Sequence, residues 1–298
     1  MAKSELNLSG KTKLYGLMGY PIDKSLSPAI HNRLAAHFGH DMVYVPFPVA
    51  PDNLEQAVGG AAALGIQGFN VTAPHKQSIM PLLHGLDISA EKVGAVNTVA
   101  ATPKGYIGHN TDAAGLAKAV ERQGIRVADR PVVVLGAGGA AYAAAVMAAE
   151  KGAAEIIFVN RTKKNAENLV HHMKTYYNTK VRVLSYETLA QIEAQSVVIQ
   201  ATSIGMGDST GVSPASIAPA HLNDAFFAKI SAAIELIYNP VETEFLRQVR
   251  TKAVGSLRMN GLGMLIYQAF AAYEIWHGVT VPDTLTEEAA RLTAGVET

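Results

Sequence analysis

PVVVLGAGGAAYAAA, residues 131–145, is an apolar run that breaks into glycines and then into an alanine-rich segment. A short, continuous apolar run is typical of a strand buried in a parallel sheet, and the glycines mark its end. The spacing of Gly136, Gly138 and Ala141 fits the turn G-x-G-x-x-G/A. In that turn, small residues let the backbone approach a pyrophosphate at the N-terminus of a helix. These residues therefore predict a strand, a nucleotide-binding turn and a helix.

The segment after the next apolar run bears on the choice of coenzyme. Residues 155–159 predict a second strand, which is followed by NRTKK at 160–164. Sites that prefer NAD place a carboxylate about 20 residues after the glycine turn, where it accepts a hydrogen bond from the ribose 2′-hydroxyl. This chain has no carboxylate there: it places Asn160 and Arg161 at this point, with Lys163 and Lys164 behind, which favours a 2′-phosphate and hence NADP. The alternative is that these cations are solvated charges at the start of a helix.

The composition indicates a globular chain with an ample core. Of its 298 residues, 49% are hydrophobic and 17% are charged, and the length suggests two domains of ordinary size. Lys and Arg together number 25, as do Asp and Glu, so no net charge would recruit nucleic acid or an anionic membrane. Because there is no cysteine, disulfides, thiolate catalysis and cysteine-ligated zinc are excluded.

Other features favour a cytoplasmic protein without a metal. Residues 1–13 lack the apolar core of a signal peptide, and no apolar run approaches the ~20 residues of a membrane span. The ten histidines form no ligand cluster, and the adjacent His171 and His172 point in different directions on a predicted helix. We therefore expect a cytoplasmic location, no nucleic-acid or membrane partner, and no bound metal.

The N-terminal part alternates strand and helix patterns, which places it in the α/β class. Residues 13–19 and 66–72 predict two of its strands. Ser27 and Pro28 predict the start of a helix, with Ser27 as the N-cap and Pro28 at the first helical position. Ser25 has no such capping duty. It stands in the loop at the C-terminal end of a strand, where open α/β sheets bind ligands.

Polar side chains gather at the ends of the predicted strands. They offer hydroxyls, amides, one amine and one carboxylate, a set suited to a small polyhydroxylated ligand. The set consists of Ser25, Ser27, Thr72, Lys76, Asn97, Asn110 and Asp112. Simpler interpretations exist, because a lysine just after a strand is commonly solvated and an aspartate before a helix commonly caps it.

A series of segments, collinear along the chain, resembles the shikimate dehydrogenase family. They are GYPIDKSLSPAIHN (19–32), NVTAPHK (70–76), AVNT (95–98), NTD (110–112), GAGGA (136–140), NRT (160–162), ATSIGM (201–206), YNP (238–240) and GLGMLIYQ (261–268). The likeness runs from about residue 13 to about residue 278. So many ordered motifs make chance agreement negligible.

The resemblance implies an α/β protein of two domains. Residues 1–112 with 261–298 would form an α/β domain for substrate binding and catalysis. Residues 113–260 would form a Rossmann-type, doubly wound parallel sheet that binds NADP. The amphipathic helix predicted at 261–277 would return to the first domain.

The resemblance also assigns roles to individual residues. Lys76 and Asp112 would be the catalytic pair. Contacts to the substrate would come from Ser25, Ser27, Thr72, Asn97, Asp112, Tyr238 and Gln268. Contacts to the coenzyme would come from Gly136, Ala137, Gly138, Gly139, Ala140, Asn160, Arg161, Thr162, Lys164, Thr202, Ser203, Met206, Gly261 and Met264.

The implied reaction is the reversible, NADP-dependent reduction of 3-dehydroshikimate to shikimate, a step of the shikimate pathway of aromatic amino acid biosynthesis. The chain departs from the family's pattern at three places. Lys163, Lys164 and Asn165 stand where an arginine is common, so NAD is expected as a secondary coenzyme. Glu235 stands where an aspartate is usual, and Asn260 is its counterpart before Gly261; neither of these two changes is expected to touch the chemistry.

Three alternatives stay open. The first is a dual quinate/shikimate dehydrogenase that uses NAD or NADP. The second is a non-catalytic ligand or NADP sensor, which the retention of both Lys76 and Asp112 disfavours. The third is another two-domain NADP enzyme, such as a methylene-tetrahydrofolate dehydrogenase, which the loop with Ser25 and Ser27 disfavours. A homodimer is also left open.

Overall fold

The computed structural model describes residues 8–206, 211–214 and 222–294. The chain divides into two compact units. The first unit is Met1–Thr111 with Ala269–Thr298, and the second is Asp112–Gln268. The loop that composition predicts at 207–220 lies mostly outside the described residues.

The first unit is built on a mixed sheet. Its strands are β1 (Lys13–Gly19), β2 (Met42–Pro48), β3 (Gly68–Val71), β4 (Gly85–Leu86), β5 (Thr98–Thr102) and β6 (Gly105–His109), in the order β2-β1-β3-β5-β6-β4. β2 and β3 run parallel to β1, whereas β5 runs antiparallel to both β3 and β6. β2 is an edge strand, which suits its Pro46 and Pro48, because proline cannot donate to a ladder.

Helices cover this sheet. They are α1 (Ser27–Phe38), α2 (Leu54–Ala63) and α3 (Ile88–Val93), with α10 (Thr286–Ala294) from the C-terminal part of the chain. Short 3₁₀ turns lie at Pro51–Asn53, Met80–Leu82 and Asp283–Leu285. Leu54 and Val58 of α2 pack on Phe69 and Val71 of β3 in one buried cluster. An ion pair of 2.7 Å between Arg33 and Glu288 joins α1 to α10.

The second unit is built on a parallel sheet. Its strands are β7 (Pro131–Leu135), β8 (Glu155–Val159), β9 (Lys180–Leu184), β10 (Ser196–Gln200), β11 (Ile230–Glu235) and β12 (Leu257–Met259), in the order β12-β11-β10-β7-β8-β9. All adjacent strands are parallel. The order of the strands reverses at β7, the topological switch point at which doubly wound sheets bind ligands. β8 and β10 are buried at every position, as strands covered on both faces must be.

The helices of the second unit alternate with its strands. They are α4 (Asp112–Arg122), α5 (Gly139–Glu150), α6 (Lys163–Tyr176), α7 (Asp224–Phe227), α8 (Glu244–Lys252) and the first part of α9 (Leu262–His277), with a 3₁₀ turn at Tyr186–Gln191. Ala141, Ala143 and Ala144 of α5 have no exposed surface. Their small side chains let this helix pack closely against the sheet.

Helix α9 is shared between the units. The second junction lies at Ala269, whereas the division we expected from the sequence was at residue 261, the start of this helix. The first turns of α9 pack closely on α4, because a Cβ built at Gly263 would lie 3.1 Å from the Cβ of Ala119. The later turns belong to the first unit. At the other junction, the first unit ends at Thr111, one residue before the predicted boundary at residue 112.

The strand, glycine turn and helix predicted from residues 131–145 are confirmed, and so is the α/β class. The predicted strands 13–19 and 155–159 have the expected bounds. We did not predict α10, although Glu287 and Glu288 in its first turn are typical of a helix start. Within the described ranges, no helix combines the length and apolarity that a membrane crossing requires.

Candidate functional site

Strand directions in the first unit bring four predicted segments to one edge of the sheet. β1 and β3 are parallel, so the loops that carry Ser25 and Thr72 leave at the same edge. β5 is antiparallel to β3, and its first residue, Thr98, lies opposite Asn70. His109, the last residue of β6, lies opposite Thr98 in turn. The chain before β5 and the chain after β6 therefore meet the loops of β1 and β3.

Ser25 and Ser27 have exchanged the roles expected of them at the start of α1. The N-cap residue is Leu26, and it makes no side-chain cap bond. Ser25 Oγ instead accepts a hydrogen bond from the backbone N–H of Ser27 at 3.3 Å. The prediction of Ser27 as the N-cap, and of Ser25 as free of such a duty, is wrong. The reason is tertiary, because the buried Ser27 hydroxyl interacts with the hydroxyl of Tyr44.

Tyr44 links Ser27 to the next strand. Its hydroxyl donates to Asn70 Oδ1 at 2.8 Å and accepts from the Ser27 hydroxyl. Burial raises the pKa of Tyr44 well above its ordinary value, and the bond from Ser27 offsets part of that rise. The sequence missed Tyr44, because at an inward position of an alternating strand an aromatic residue is usually core.

Asn70 and Asn97 extend this chain of buried hydrogen bonds. Asn70 Nδ2 donates to Thr98 Oγ1 at 3.0 Å and to the backbone oxygen of Asn97 at 3.1 Å. Asn97 Nδ2 donates to Thr111 Oγ1 at 2.9 Å, and Asn97 Oδ1 accepts from the Thr111 backbone N–H at 2.8 Å. Because these groups lie in a low-dielectric interior and satisfy one another, the network fixes the orientation of its side chains.

The segment that carries Lys76 is held by the side chain of His75 and by the backbone oxygen of Lys76. His75 Nε2 donates to the backbone oxygen of Val49 at 2.7 Å, which fixes the proton of this buried imidazole on Nε2. The backbone oxygen of Lys76 accepts from Val96 N–H at 2.8 Å, directly before Asn97. Lys76 and Thr72 are both half-buried, so their side chains are partly accessible.

Asp112 and Gln268 belong to the second unit. Asp112 is 7% exposed and is the first residue of α4. The simpler interpretation from the sequence predicts it one position earlier, as the cap before that helix. Gln268 is half-buried on α9, and its Nε2 donates to the backbone oxygen of Leu265 at 2.8 Å. A Cβ built at Gly115 would lie 2.5 Å from the backbone nitrogen of Gln268, so only glycine lets α4 and α9 approach this closely.

The glycine turn after β7 has the features required to hold a dinucleotide pyrophosphate. Gly136 has φ +118°, and a Cβ there would lie 2.9 Å from the backbone oxygen of Ala201, so the bend needs glycine. Gly138 and Gly139 would meet nothing within 4 Å, which leaves a backbone cradle that a Cβ would fill. Gly138, Gly139 and Ala140 are exposed, and α5 begins at Gly139. The N–H of Ala141 already donates to the backbone oxygen of Gly138, so the N–H groups of Gly139 and Ala140 are the ones that suit an anion at this helix start.

The basic segment after β8 suits a 2′-phosphate. Arg161 and Lys164 are exposed, and neither makes an ion pair with any residue that the structure describes. Lys163, by contrast, pairs with Glu167 at 3.5 Å. Asn160 Nδ2 donates to the backbone oxygen of Thr162 at 2.9 Å and so shapes the turn. The residues present fit NADP, because two unpaired cations stand where an NAD site has a carboxylate.

The remaining predicted coenzyme residues lie after β10 and at the start of α9. Thr202 follows β10, and its hydroxyl donates to Gln200 Oε1 at 2.8 Å. Met206 is 54% exposed and therefore is not part of the core. Gly261 N–H donates to the backbone oxygen of Ile237 at 2.9 Å. Ser203 lies beside Thr202, Tyr238 directly follows Ile237, and Met264 is half-buried in the first turn of α9.

Three family models match the chain. Residues 17–99 match the shikimate dehydrogenase substrate binding domain, and residues 117–206 match shikimate/quinate 5-dehydrogenase. Residues 261–291 match the C-terminal domain of shikimate 5′-dehydrogenase. The first two matches contain Lys76 and the glycine turn respectively.

Relatives match almost the whole chain. A shikimate dehydrogenase (NADP(+)) of Caldanaerobacter subterraneus is 40% identical over 92% of this chain and 94% of its own. A crystal structure of a shikimate dehydrogenase in complex with NADP⁺ is 37% identical, covers 98% of both chains and has a TM-score of 0.85. The shikimate 5-dehydrogenase of Listeria monocytogenes, solved with shikimate and NAD, is 32% identical over 95% of this chain and 98% of its own, with a TM-score of 0.86. This chain belongs to the shikimate dehydrogenase family.

Proposed function

We propose that this protein catalyses the reversible, NADP-dependent reduction of 3-dehydroshikimate to shikimate. The observation that carries the proposal is the sheet edge of the first unit, where fixed hydroxyl and amide groups surround the backbone-anchored segment of Lys76. The open glycine turn and the unpaired cations of the second unit supply the coenzyme site. The wider role is a step in aromatic amino acid biosynthesis.

The chemistry divides between coenzyme and protein. When bound, NADPH supplies the hydride that adds to C3 of the substrate. Negative charge then develops on the C3 oxygen, where the Lys76 ammonium stabilises it and delivers a proton. A positioned acid of this kind contributes about 10²–10⁴-fold to the rate. Asp112 is the second member of the proposed catalytic pair and accepts a hydrogen bond from a ring hydroxyl. In this proposal Lys76 and Asp112 act as a pair in proton transfer.

Substrate recognition in this proposal rests on hydroxyls and amides. Ser25 and Ser27 bond the carboxylate, with Ser27 held in turn by Tyr44. The ring hydroxyls bond the other predicted contacts, Thr72, Asn97, Asp112, Tyr238 and Gln268. A site that bonds each hydroxyl rejects analogues that lack one, because its own buried polar groups are then left unpaired.

Coenzyme recognition rests on backbone and charge. The pyrophosphate lies on the turn Gly136 to Ala140, above the start of α5. The 2′-phosphate lies against Arg161, Thr162 and Lys164, with Asn160 supporting the turn. The nicotinamide end is bordered by Thr202, Ser203, Met206, Gly261 and Met264. NAD is a secondary coenzyme, because it shares every contact except those to the 2′-phosphate.

A dual quinate/shikimate dehydrogenase is the second candidate. It is favoured by the absence of an arginine at 163–165, which weakens the preference for the 2′-phosphate. A relative solved with shikimate and NAD also shows that this family accommodates the smaller coenzyme. A non-catalytic sensor is disfavoured, because it has no use for both Lys76 and Asp112.

The test is to follow the absorbance of the reduced coenzyme with each of shikimate and quinate against NADP and NAD. Turnover with shikimate and NADP that exceeds the other combinations supports the proposal, and comparable rates with quinate or NAD support the dual enzyme. Arg161→Ala should weaken NADP about tenfold or more while sparing NAD, since a bond to a charged group is lost. Arg126→Ala is the control, because Arg126 is exposed and pairs only with the neighbouring Asp129 among its described ion pairs.

We infer a cytoplasmic location, where soluble NADPH and the substrate meet. Fractionation of cells tests it. A homodimer is a further proposal, and light scattering of the purified protein tests it.

A further inference from the structure

Two buried polar side chains stand next to each other where β10 and β11 end. Gln200 and Glu235 are the last residues of their strands, they are partners in the parallel register, and neither has exposed surface. Strand ends at this edge of a doubly wound sheet border the ligand. The family resemblance treats Glu235 only as a replacement for an aspartate, and no role has been given to Gln200.

Gln200 uses its whole amide to shape the loop after β10. Its Oε1 accepts from the backbone N–H of Thr202 at 2.7 Å and from the Thr202 hydroxyl at 2.8 Å. Its Nε2 donates to the backbone oxygen of Ile204 at 2.9 Å. The loop that contains Thr202, Ser203 and Met206 therefore starts from a fixed geometry.

The carboxylate of Glu235 likewise fixes the chain that follows β11. Its Oε1 accepts from the backbone N–H of Ile237 at 3.1 Å, and its Oε2 accepts from the Thr243 hydroxyl at 2.9 Å. Ile237 in turn accepts through its backbone oxygen from Gly261 N–H. A Cβ built at Gly261 would lie 2.2 Å from the backbone oxygen of Leu236, so the segment before Tyr238 and the start of α9 are in close contact.

The two loops also meet through Thr243. A Cβ built at Gly205 would lie 3.7 Å from the Cβ of Thr243, and Thr243 is itself bonded to Glu235. The Gln200 amide lies within hydrogen-bonding reach of the Glu235 carboxylate. One buried pair thus joins the loop after β10, the segment before Tyr238 and the first residue before α9.

A buried carboxylate is costly, and here its hydrogen bonds do not fully offset the cost. Burial raises the pKa of Glu235 to about 7, although bonds from Ile237, Thr243, Leu236 and Gln200 oppose the rise. Such a group is a poor choice for stability alone, since a well-packed apolar side chain of similar volume is often as stabilising.

We propose that Glu235, together with Gln200, is a positioning residue for the nicotinamide half of the coenzyme. It acts by fixing the loop after β10 and the start of α9, which are predicted to border that half, through the segment before Tyr238, and it touches no reacting atom. This inference rests on the proposed function, because it assumes that the loop after β10 and the start of α9 bind NADP(H).

The experiment compares two ligands on the same variants. Binding of NADPH is measured by its fluorescence, and binding of adenosine 2′,5′-bisphosphate, which lacks the nicotinamide half, is measured by competition. Glu235→Met removes both acceptors at similar side-chain length and should weaken NADPH about tenfold or more, with adenosine 2′,5′-bisphosphate changed less than about twofold. Glu235→Gln retains one acceptor and should give an intermediate loss of NADPH affinity.

The matched control is Glu155→Met. Glu155 is a buried glutamate on the same sheet, and it pairs with Lys180 and Arg182. Because it is the first residue of β8, it lies at the edge of the sheet opposite to the one that carries Glu235. It should lower the melting temperature without changing the ratio of the two affinities. If Glu235→Met does not fold, Glu235→Gln and Thr243→Val carry the same test.

Equal affinity for NADPH in wild type and the Glu235 variants would overturn the inference, and so would an equal loss for both ligands. If the wild-type chain binds adenosine 2′,5′-bisphosphate and not NADPH, the proposed function fails, and this inference fails with it. If the wild-type chain binds NADPH and the Glu235 variants bind it with the same affinity, only the inference about Glu235 fails, and the proposed function is unaffected.

Discussion

The sheet edges of the two units present different material to a ligand. In the first unit, the edge is made of side chains that hold one another, from Ser27 through Tyr44 and Asn70 to Asn97. In the second unit, the turn after β7 offers backbone, with open space around Gly138 and Gly139. A polyhydroxylated substrate needs a different partner at every oxygen, whereas a pyrophosphate needs N–H groups and room. The two halves should therefore respond to different kinds of substitution.

The first unit should be sensitive to loss of a side chain, and the second to its gain. Truncation removes a bond from the network of the first unit and leaves its partner unpaired in the interior. In the second unit, a single methyl group added at Gly138 enters open space that the proposed coenzyme site requires. Substitutions in each unit test this contrast.

The largest effect is expected from Lys76→Ala. The change removes the proposed proton donor, so kcat should fall by about 10²–10⁴-fold with little change in the KM for shikimate. Steady-state kinetics in both directions measure it. Lys92→Ala is the control, because Lys92 lies in the last turn of α3 and outside the predicted site segments. Near wild-type turnover of Lys76→Ala would contradict the mechanism.

Gly138→Ala should weaken NADP binding about tenfold without harming the fold. Gly138 has φ −88° and ψ −176°, which alanine adopts freely, and its Cβ would meet no protein atom within 4 Å. The melting temperature without coenzyme should stay the same or rise slightly, since the unfolded chain loses entropy. Titration with NADPH and thermal unfolding measure the two effects.

Gly136→Ala is the counterpart to this prediction. Its φ of +118° and the approach of 2.9 Å to Ala201 strain any residue with a Cβ. We expect a destabilised protein, by about 1–3 kcal/mol. If Gly138→Ala lowers stability as much as Gly136→Ala does, the interpretation that the space around Gly138 is open is wrong.

The strand, glycine turn and helix of the second unit were predictable because their signals are contiguous. Gly136, Gly138 and Ala141 lie within one turn, and the basic segment follows the next strand directly. The spacing of small residues predicts backbone geometry of this kind. The sequence also indicated why Lys164 matters, but only the structure separates it from Lys163, whose charge is paired with Glu167.

The substrate half was predictable only where the family resemblance supplied the residues. Tyr44, Asn70, Thr98 and Thr111 come from four separate elements, and strand pairing brings them together. No local pattern distinguishes Tyr44 from an ordinary core residue. The capping rule also failed at Ser27, because a tertiary bond to Tyr44 competes with the local one.

Acid should destabilise the first unit through its buried histidines. Burial, with a smaller contribution from His277, lowers the pKa of His31 to about 3. Burial and the charges of His40 and Lys13 lower the pKa of His277 to about 4. Neither ring nitrogen of His31 has a hydrogen-bond partner of good geometry among the described residues, although Asn70 lies near enough to offset a little of the shift.

The sign follows from proton binding by the unfolded chain. Both histidines stay neutral in the folded protein while the unfolded chain binds protons below its ordinary pKa of 6.5. The free energy of unfolding should be undiminished above that pH and should fall below it by up to about 1.4 kcal/mol per pH unit for each histidine. Urea unfolding monitored by the single tryptophan, Trp276, measures it. His277→Gln should reduce the slope, and an unchanged slope would contradict this account.

The smallest effect, and the sharpest test of the side-chain network, is expected from Tyr44→Phe. The change keeps the ring stacked on His31 and removes only the hydroxyl that joins Ser27 to Asn70. The KM for shikimate should rise about two- to tenfold with kcat nearly constant, because the Ser27 hydroxyl loses its support. Tyr106→Phe is the matched control, since it removes a buried hydroxyl bonded to the backbone oxygen of Ile66 in the same unit. Both variants should lose similar stability, so a higher KM in Tyr44→Phe alone would assign the effect to the network and not to weakened folding.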